Sequence, residues 1–137
     1  MMVVFNTETQ RWEPDTEPDT ETRRNTIGTA LPCHAVVMGD KIYTRNSQNS
    51  FVYEPKESKW QKDKMLNSKK WTNACVVDGV LYYHDRDEDS YEEVLRTYDP
   101  KKRCWGVVNG LEDFPAEMRW SSETVSYGGK LALFFLN

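Results

Sequence analysis

Apolar residues in this chain fall in short runs, each stopped by a glycine or a small polar cluster. Val36-Val37-Met38 leads through Gly39-Asp40 into Lys41-Ile42-Tyr43. The same form returns as Val76-Val77, Asp78-Gly79, Val80-Leu81-Tyr82, and again as Val125-Ser126-Tyr127, Gly128-Gly129, Lys130-Leu131-Ala132-Leu133. Two β-prone runs around a Gly or Asp pair predict a hairpin, because a tight turn matching the twist of the strands needs positive φ. Sustained apolar spacing of three and four is not found in any segment, so no helix is expected.

A second unit alternates with the first. An aromatic residue is followed by a polar turn and then Trp: Phe5 to Trp12, Tyr53 to Trp60, Tyr98 to Trp105, each seven positions apart. The unit recurs 48 and then 45 residues on. Glu54-Pro55 and Asp99-Pro100 begin turns through the fixed φ of proline, so this unit is a hairpin too. With strands lettered a to d, the expected order is c–d at 2–13, a–b at 34–46, c–d at 50–62, a–b at 73–84, c–d at 93–108 and a–b at 122–136. Repetition assigns the three Trp residues to packing between neighbouring repeats, since a repeat reuses one core position. The glycines are turn residues, lacking the strand–glycine–helix context of a phosphate loop.

Four antiparallel strands in a repeat of about 50 residues describe a kelch blade. The expected fold class is all-β, with antiparallel four-stranded kelch blades forming part of a β-propeller. A half blade at 2–13 precedes blades at 34–62 and 73–108, and a half blade at 122–136 follows. The segment 14–31, with Glu13-Pro14-Asp15-Thr16 copied at once as Glu17-Pro18-Asp19-Thr20, is expected to be a flexible insert. Open blade edges lead to the expectation of a piece of a longer protein, marginally stable alone.

Tyr98-Asp99-Pro100 with Trp105, and Tyr127-Gly128-Gly129-Lys130-Leu131, resemble the kelch repeats of the plant F-box/kelch family. The resemblance spans nearly the whole chain except 14–31. It implies a propeller that recruits a protein for ubiquitination, while an N-terminal F-box docks on a Skp-type adaptor of a cullin ligase. The chain starts inside a blade, and Leu31-Pro32 lacks the amphipathic helices of an F-box, so adaptor and cullin binding is expected only with an F-box upstream. The alternatives are a free-standing kelch scaffold or decoy, and a kelch enzyme of the metal-dependent specifier type.

Composition narrows the partners. The 137 residues carry a net charge of −4, which argues against nucleic acid or anionic membrane as the main partner. A run long and apolar enough to span a bilayer is missing, and Met1 to Phe5 do not read as a signal peptide. Cys33, Cys75 and Cys104 are odd in number and unpaired by spacing, which points to a reducing cytoplasm or nucleus.

Chemistry-bearing residues are sparse. His34 and His84 are the only histidines, and no third ligand is spaced with Cys33 and His34 for zinc. Asp85, Asp87 and Asp89 alternate as in a calcium loop, but Ser90 replaces the required Gly and Arg96 the required Glu. No metal, cofactor or catalytic residue is assigned, and the expected role is a non-catalytic binding module. The d–a and b–c connections of a blade emerge on one face, where kelch relatives bind partners. Arg45, Trp71, Arg86, Arg119 and Trp120 lie at those connections and are the candidate partner contacts, being residue types that dominate interface energetics. Trp71 and Trp120 have a second reading, each tucked beneath its own loop as a plug. The acidic run Asp85 to Glu93 reads as a solvated hairpin tip or as an attractor of a basic partner.

Overall fold

The computed structural model describes residues 3–13, 34–114 and 122–135; the insert 14–31, Cys33, Arg119 and Trp120 lie outside them. Among the described residues there are twelve strands, all paired antiparallel with a neighbour in sequence. They are β1 (Phe5–Asn6), β2 (Arg11–Trp12), β3 (His34–Met38), β4 (Lys41–Arg45), β5 (Ser50–Glu54) and β6 (Lys59–Gln61). β7 (Cys75–Val77), β8 (Val80–Arg86), β9 (Glu93–Asp99), β10 (Cys104–Val108), β11 (Ser122–Tyr127) and β12 (Lys130–Phe135) complete the set. β3-β4-β5-β6 and β7-β8-β9-β10 are four-stranded sheets, and β1-β2 and β11-β12 are two-stranded. The fold is all-β and its four-stranded sheets have the form of kelch blades.

Turn chemistry fixes the registers. In the a–b hairpins Met38 faces Lys41, Val77 faces Val80 and Tyr127 faces Lys130, with two residues between them. Gly39 and Gly79 turn at φ of 61° and 76°, which glycine adopts without Cβ strain. The c–d hairpins close differently, over four residues. Gln10, Ser58 and Arg103, each two before the repeated Trp, take φ of 56°, 48° and 49° without being glycine. Asn6 and Asp99 brace two of these turns, accepting from Glu8 N and Lys101 N at 2.9 Å each.

The core lies between the two complete sheets. Met38, Tyr43 and Val52 meet Leu81, Tyr83 and Tyr98 there, with Leu66 and Trp71 from the connection between them. That connection holds a single helical turn, α1 (Lys64–Asn67). Four residues are too few to show a period in the sequence; the one signal of this turn is its cap. Asp63 Oδ1 accepts from Met65 N at 3.0 Å and Leu66 N at 3.1 Å. The other Asp63 oxygen accepts from the Tyr98 hydroxyl of the next sheet. Burial first, then the Asp63 carboxylate, pushes the Tyr98 phenol above its ordinary value, so it remains a donor. A 3₁₀ turn at Leu111–Asp113 is the other departure from an all-strand expectation among the described residues.

The repeated Trp residues first pair within their own hairpins. Ring centroids are 5.1 Å apart for Phe5–Trp12, and 4.9 Å for both Tyr53–Trp60 and Tyr98–Trp105. Trp105 also reaches across the gap, donating through Nε1 to the Met65 carbonyl at 2.6 Å. Trp12 is 69% exposed and serves only its own hairpin among the described residues.

Three inner strands gather around one side of the molecule. β7 packs against both β3 and β11, and β11 also packs on β8. Thr124 donates to the Asn73 carbonyl at 2.6 Å, His34 Nε2 lies 2.9 Å from Thr72 Oγ1, and the His84 and Phe135 rings meet edge to face.

Ser50 joins sheet and connection. Its buried hydroxyl oxygen accepts from Trp71 Nε1 at 2.9 Å and from Arg45 Nη1 at 3.0 Å. Ser50→Ala leaves both donors without this acceptor, and is expected to cost about 1–3 kcal/mol. Urea unfolding should show a lower midpoint with an unchanged slope; an unmoved midpoint would mean that the junction contributes nothing.

Candidate binding face

The strand ends form two faces. On one, the a–b and c–d turns meet, as in the 3.2 Å ion pair of Lys56 with Asp40. On the other, the b–c loops at 46–49 and 87–92 come together with the connection 62–74. Ser50 N donates to Asn67 Oδ1 at 2.9 Å, and Arg45 Nη1 donates to the Lys69 carbonyl at 3.0 Å. The second face is therefore tied down from beneath.

Each b–c loop is built around a side-chain acceptor. Asn46 Oδ1 takes the N–H groups of Gln48 and Asn49 at 2.9 and 2.8 Å. Asp87 Oδ1 takes those of Asp89 and Ser90, both at 3.0 Å. The backbone N–H of Ser90, then that of Asp89, holds the Asp87 carboxyl below its ordinary value. The other Asp87 oxygen lies 3.1 Å from Arg96 Nη2, and Arg96 Nε lies 2.7 Å from Asp85 Oδ2. Burial works to lower Arg96, and the Asp85 and Asp87 carboxylates more than offset it. Tyr83 donates to Asp85 at 2.9 Å, its phenol pushed upward by burial and then by that carboxylate. Arg96, standing where a calcium loop would need Glu, is the cation that two of the alternating aspartates hold.

The loop tip carries an exposed pair. The Arg86 guanidinium sits 5.8 Å from the centroid of the Tyr91 ring, and its Nε donates to the Tyr91 carbonyl at 3.3 Å. Tyr91 is 71% exposed, with its backbone in the left-handed region at φ 58°. On one side of this pair lies a cleft of about 290 Å³ between Lys69 and Lys70 and the carboxylates of Asp85, Asp87 and Asp89. On the other lies a cleft of about 640 Å³ lined by Val107, Val108, Leu111 and Glu93.

The expected contact residues separate accordingly. Arg86 is exposed on the loop face. Trp71 is fully buried: its indole packs in the core between the sheets and its N–H donates to Ser50. Arg45, 5% exposed, likewise supports the face from within. Neither of these two side chains offers surface in this structure. Arg119 and Trp120 lie outside the described residues. Tyr91 was missed, since its exposure depends on the loop geometry; Arg45 had a readable signal, being two residues from buried Tyr43 on the same face of β4.

Similarity to known proteins decides the family. The family model described as FKB95, Kelch-repeats domain, matches residues 1–137. This chain belongs to the FKB95 kelch-repeat family. An F-box/kelch-repeat protein of Arabidopsis thaliana is 45% identical to this FKB95 kelch chain over 98% of it and 34% of the relative. A second from the same plant is 35% identical over 98% of the chain and 32% of its own length. The FKB95 kelch chain thus spans about a third of the length of these relatives.

Because Asp87 titrates below its ordinary value, its hold on the loop is complete above the usual aspartate range. It is lost only as pH falls through the lowered value. Amide exchange followed by NMR should find Asp89 and Ser90 still protected just below the ordinary aspartate value. Protection lost already at that value would remove the Asp87 brace from the account.

Proposed function

We propose that this chain is a protein-recognition module and that its partner docks on the face bearing the b–c loops. The reading rests chiefly on the Arg86–Tyr91 pair, exposed on a loop that Asp87 and Arg96 brace from behind. Arg and Tyr are over-represented among residues that carry interface energy. A braced loop also loses little freedom on binding, which removes part of the ordinary cost of association. Glu88, Asp89 and Glu92 stand exposed around the pair and favour a partner segment with basic residues.

The wider reading follows from the family. The relatives are named for an F-box as well as for kelch repeats. In a protein with both parts, the kelch face holds the target and the F-box joins a Skp-type adaptor and cullin ligase. The blades then contribute proximity and no bond chemistry of their own, so the module is non-catalytic. The free thiols of Cys75 and Cys104 suit a reducing compartment, and we place the protein in cytoplasm or nucleus.

A photo-crosslinking residue at position 91 would identify the partner, and calorimetry would then compare variants. Arg86→Ala with Tyr91→Ala is expected to weaken binding at least about tenfold while circular dichroism stays unchanged. Unchanged affinity, together with lost binding when Lys56 and Asp40 on the opposite face are reversed, would move the site to that face.

A further inference from the structure

Another cleft opens on the face where the a–b and c–d turns meet, away from Arg86 and Tyr91. It holds about 370 Å³ and lies between the two four-stranded sheets. Lys41, Tyr43 and Val52 of the first sheet form one wall. Pro100 and Arg103, from the c–d turn of the second sheet, form the other, and Lys62 to Met65 close the cleft from the connection. Its charge is one-sided. Four cations, Lys41, Lys62, Lys64 and Arg103, line it against one carboxylate, that of Asp63. Asp63 is already engaged, one oxygen by two N–H groups of α1 and the other by the Tyr98 hydroxyl. Lys41 is held 3.2 Å from Glu54. Lys64 and Arg103 are exposed and form no ion pair among the described residues.

The wall at Tyr43 carries a second, independent sign of a ligand. Tyr43 is only 6% exposed, yet its hydroxyl has no hydrogen-bond partner among the described residues. The buried phenols of Tyr83 and Tyr98, by contrast, each donate to a carboxylate. The Tyr43 oxygen is not sealed in, and it reaches solvent only through the cleft that its side chain lines. Burial raises this phenol above its ordinary value; Lys41 and Arg103 oppose that rise and Asp63 adds to it. The hydroxyl therefore lies among the charges of the cleft and stays protonated, a donor with nothing to receive its proton.

A buried donor ringed by cations selects an anion able to accept several hydrogen bonds at once. A phosphate monoester carries about two negative charges and three strong acceptor oxygens. Those oxygens match three donors here, whereas a carboxylate offers two. The cleft exceeds what a bare phosphate fills, and Val52, Met65 and Pro100 give it an apolar side for the carbon chain. We propose that this cleft binds a phosphorylated serine or threonine side chain of a protein partner, with Tyr43, Lys64 and Arg103 as its donors. A protein as carrier follows from the recognition role proposed above; the phosphate site itself does not depend on that role or on the Arg86–Tyr91 face.

The probe is a capped alanine peptide with one central phosphoserine, titrated into the 137-residue chain by calorimetry and amide NMR. Saturation is expected with a Kd of about 1 mM or tighter, and with shifts at Lys64 and Arg103. Lys64→Gln, Arg103→Gln and Tyr43→Phe should each weaken binding about tenfold, as loss of a bond to a charged group does. Tyr43→Phe should leave the urea midpoint unmoved, because the hydroxyl has no partner in the folded chain to lose. Arg86→Ala with Tyr91→Ala should leave phosphopeptide affinity unchanged; a loss there would put the phosphate on the other face. Absence of saturation, equal binding of the serine peptide, or full affinity in all three cleft variants overturns the site. Equal affinity for a glutamate peptide would assign the cleft to carboxylates instead. Inorganic phosphate binding as tightly as the peptide would remove the protein carrier and leave the Arg86–Tyr91 reading untouched.

Discussion

A four-stranded sheet has two faces to cover, and in this chain the connection 62–74 covers the gap between the two four-stranded sheets. Asp63 caps α1 with one carboxylate oxygen and takes the Tyr98 hydroxyl with the other. Two residues beyond the cap, the Met65 carbonyl receives the Trp105 indole. At the far end Trp71 is sealed in by Ser50 and Arg45. The connection is thus bonded to both sheets along its length and adds to the direct packing between them.

Most of the fold was legible because hairpins write themselves locally. A turn needs particular residues at fixed offsets, and the period of two then aligns the strands on either side. The six expected hairpins correspond to the strand pairs observed among the described residues. What was illegible depends on approach between distant segments. One helical turn has no period to detect, and its Asp63 cap gains its second partner 35 residues away. Trp71 read as a contact or, in preference, as a plug, since its depth between the sheets is set by segments distant in sequence.

The candidate face shows the same division. The acidic run Asp85 to Glu93 was visible at once, yet its charge is sorted by the fold into two populations. Asp85 and Asp87 turn inward to Arg96 and Glu93 to His84, and Glu88, Asp89 and Glu92 stay in solvent around Tyr91. Counting acidic residues therefore overstates what a partner would meet. The inward pair gives the loop its shape, and the outward group gives it its field.

Each described strand pairs only with its neighbour in sequence. A chain built this way closes short loops before long ones, and little loop entropy opposes each step. Folding speed follows the share of such local contacts, so each sheet can assemble as a meander without waiting for the others. The contacts of Trp71 and α1, by contrast, bring together both sheets. On this account the wedge joins segments far apart in sequence and carries the larger loop-closure cost, while each hairpin carries little.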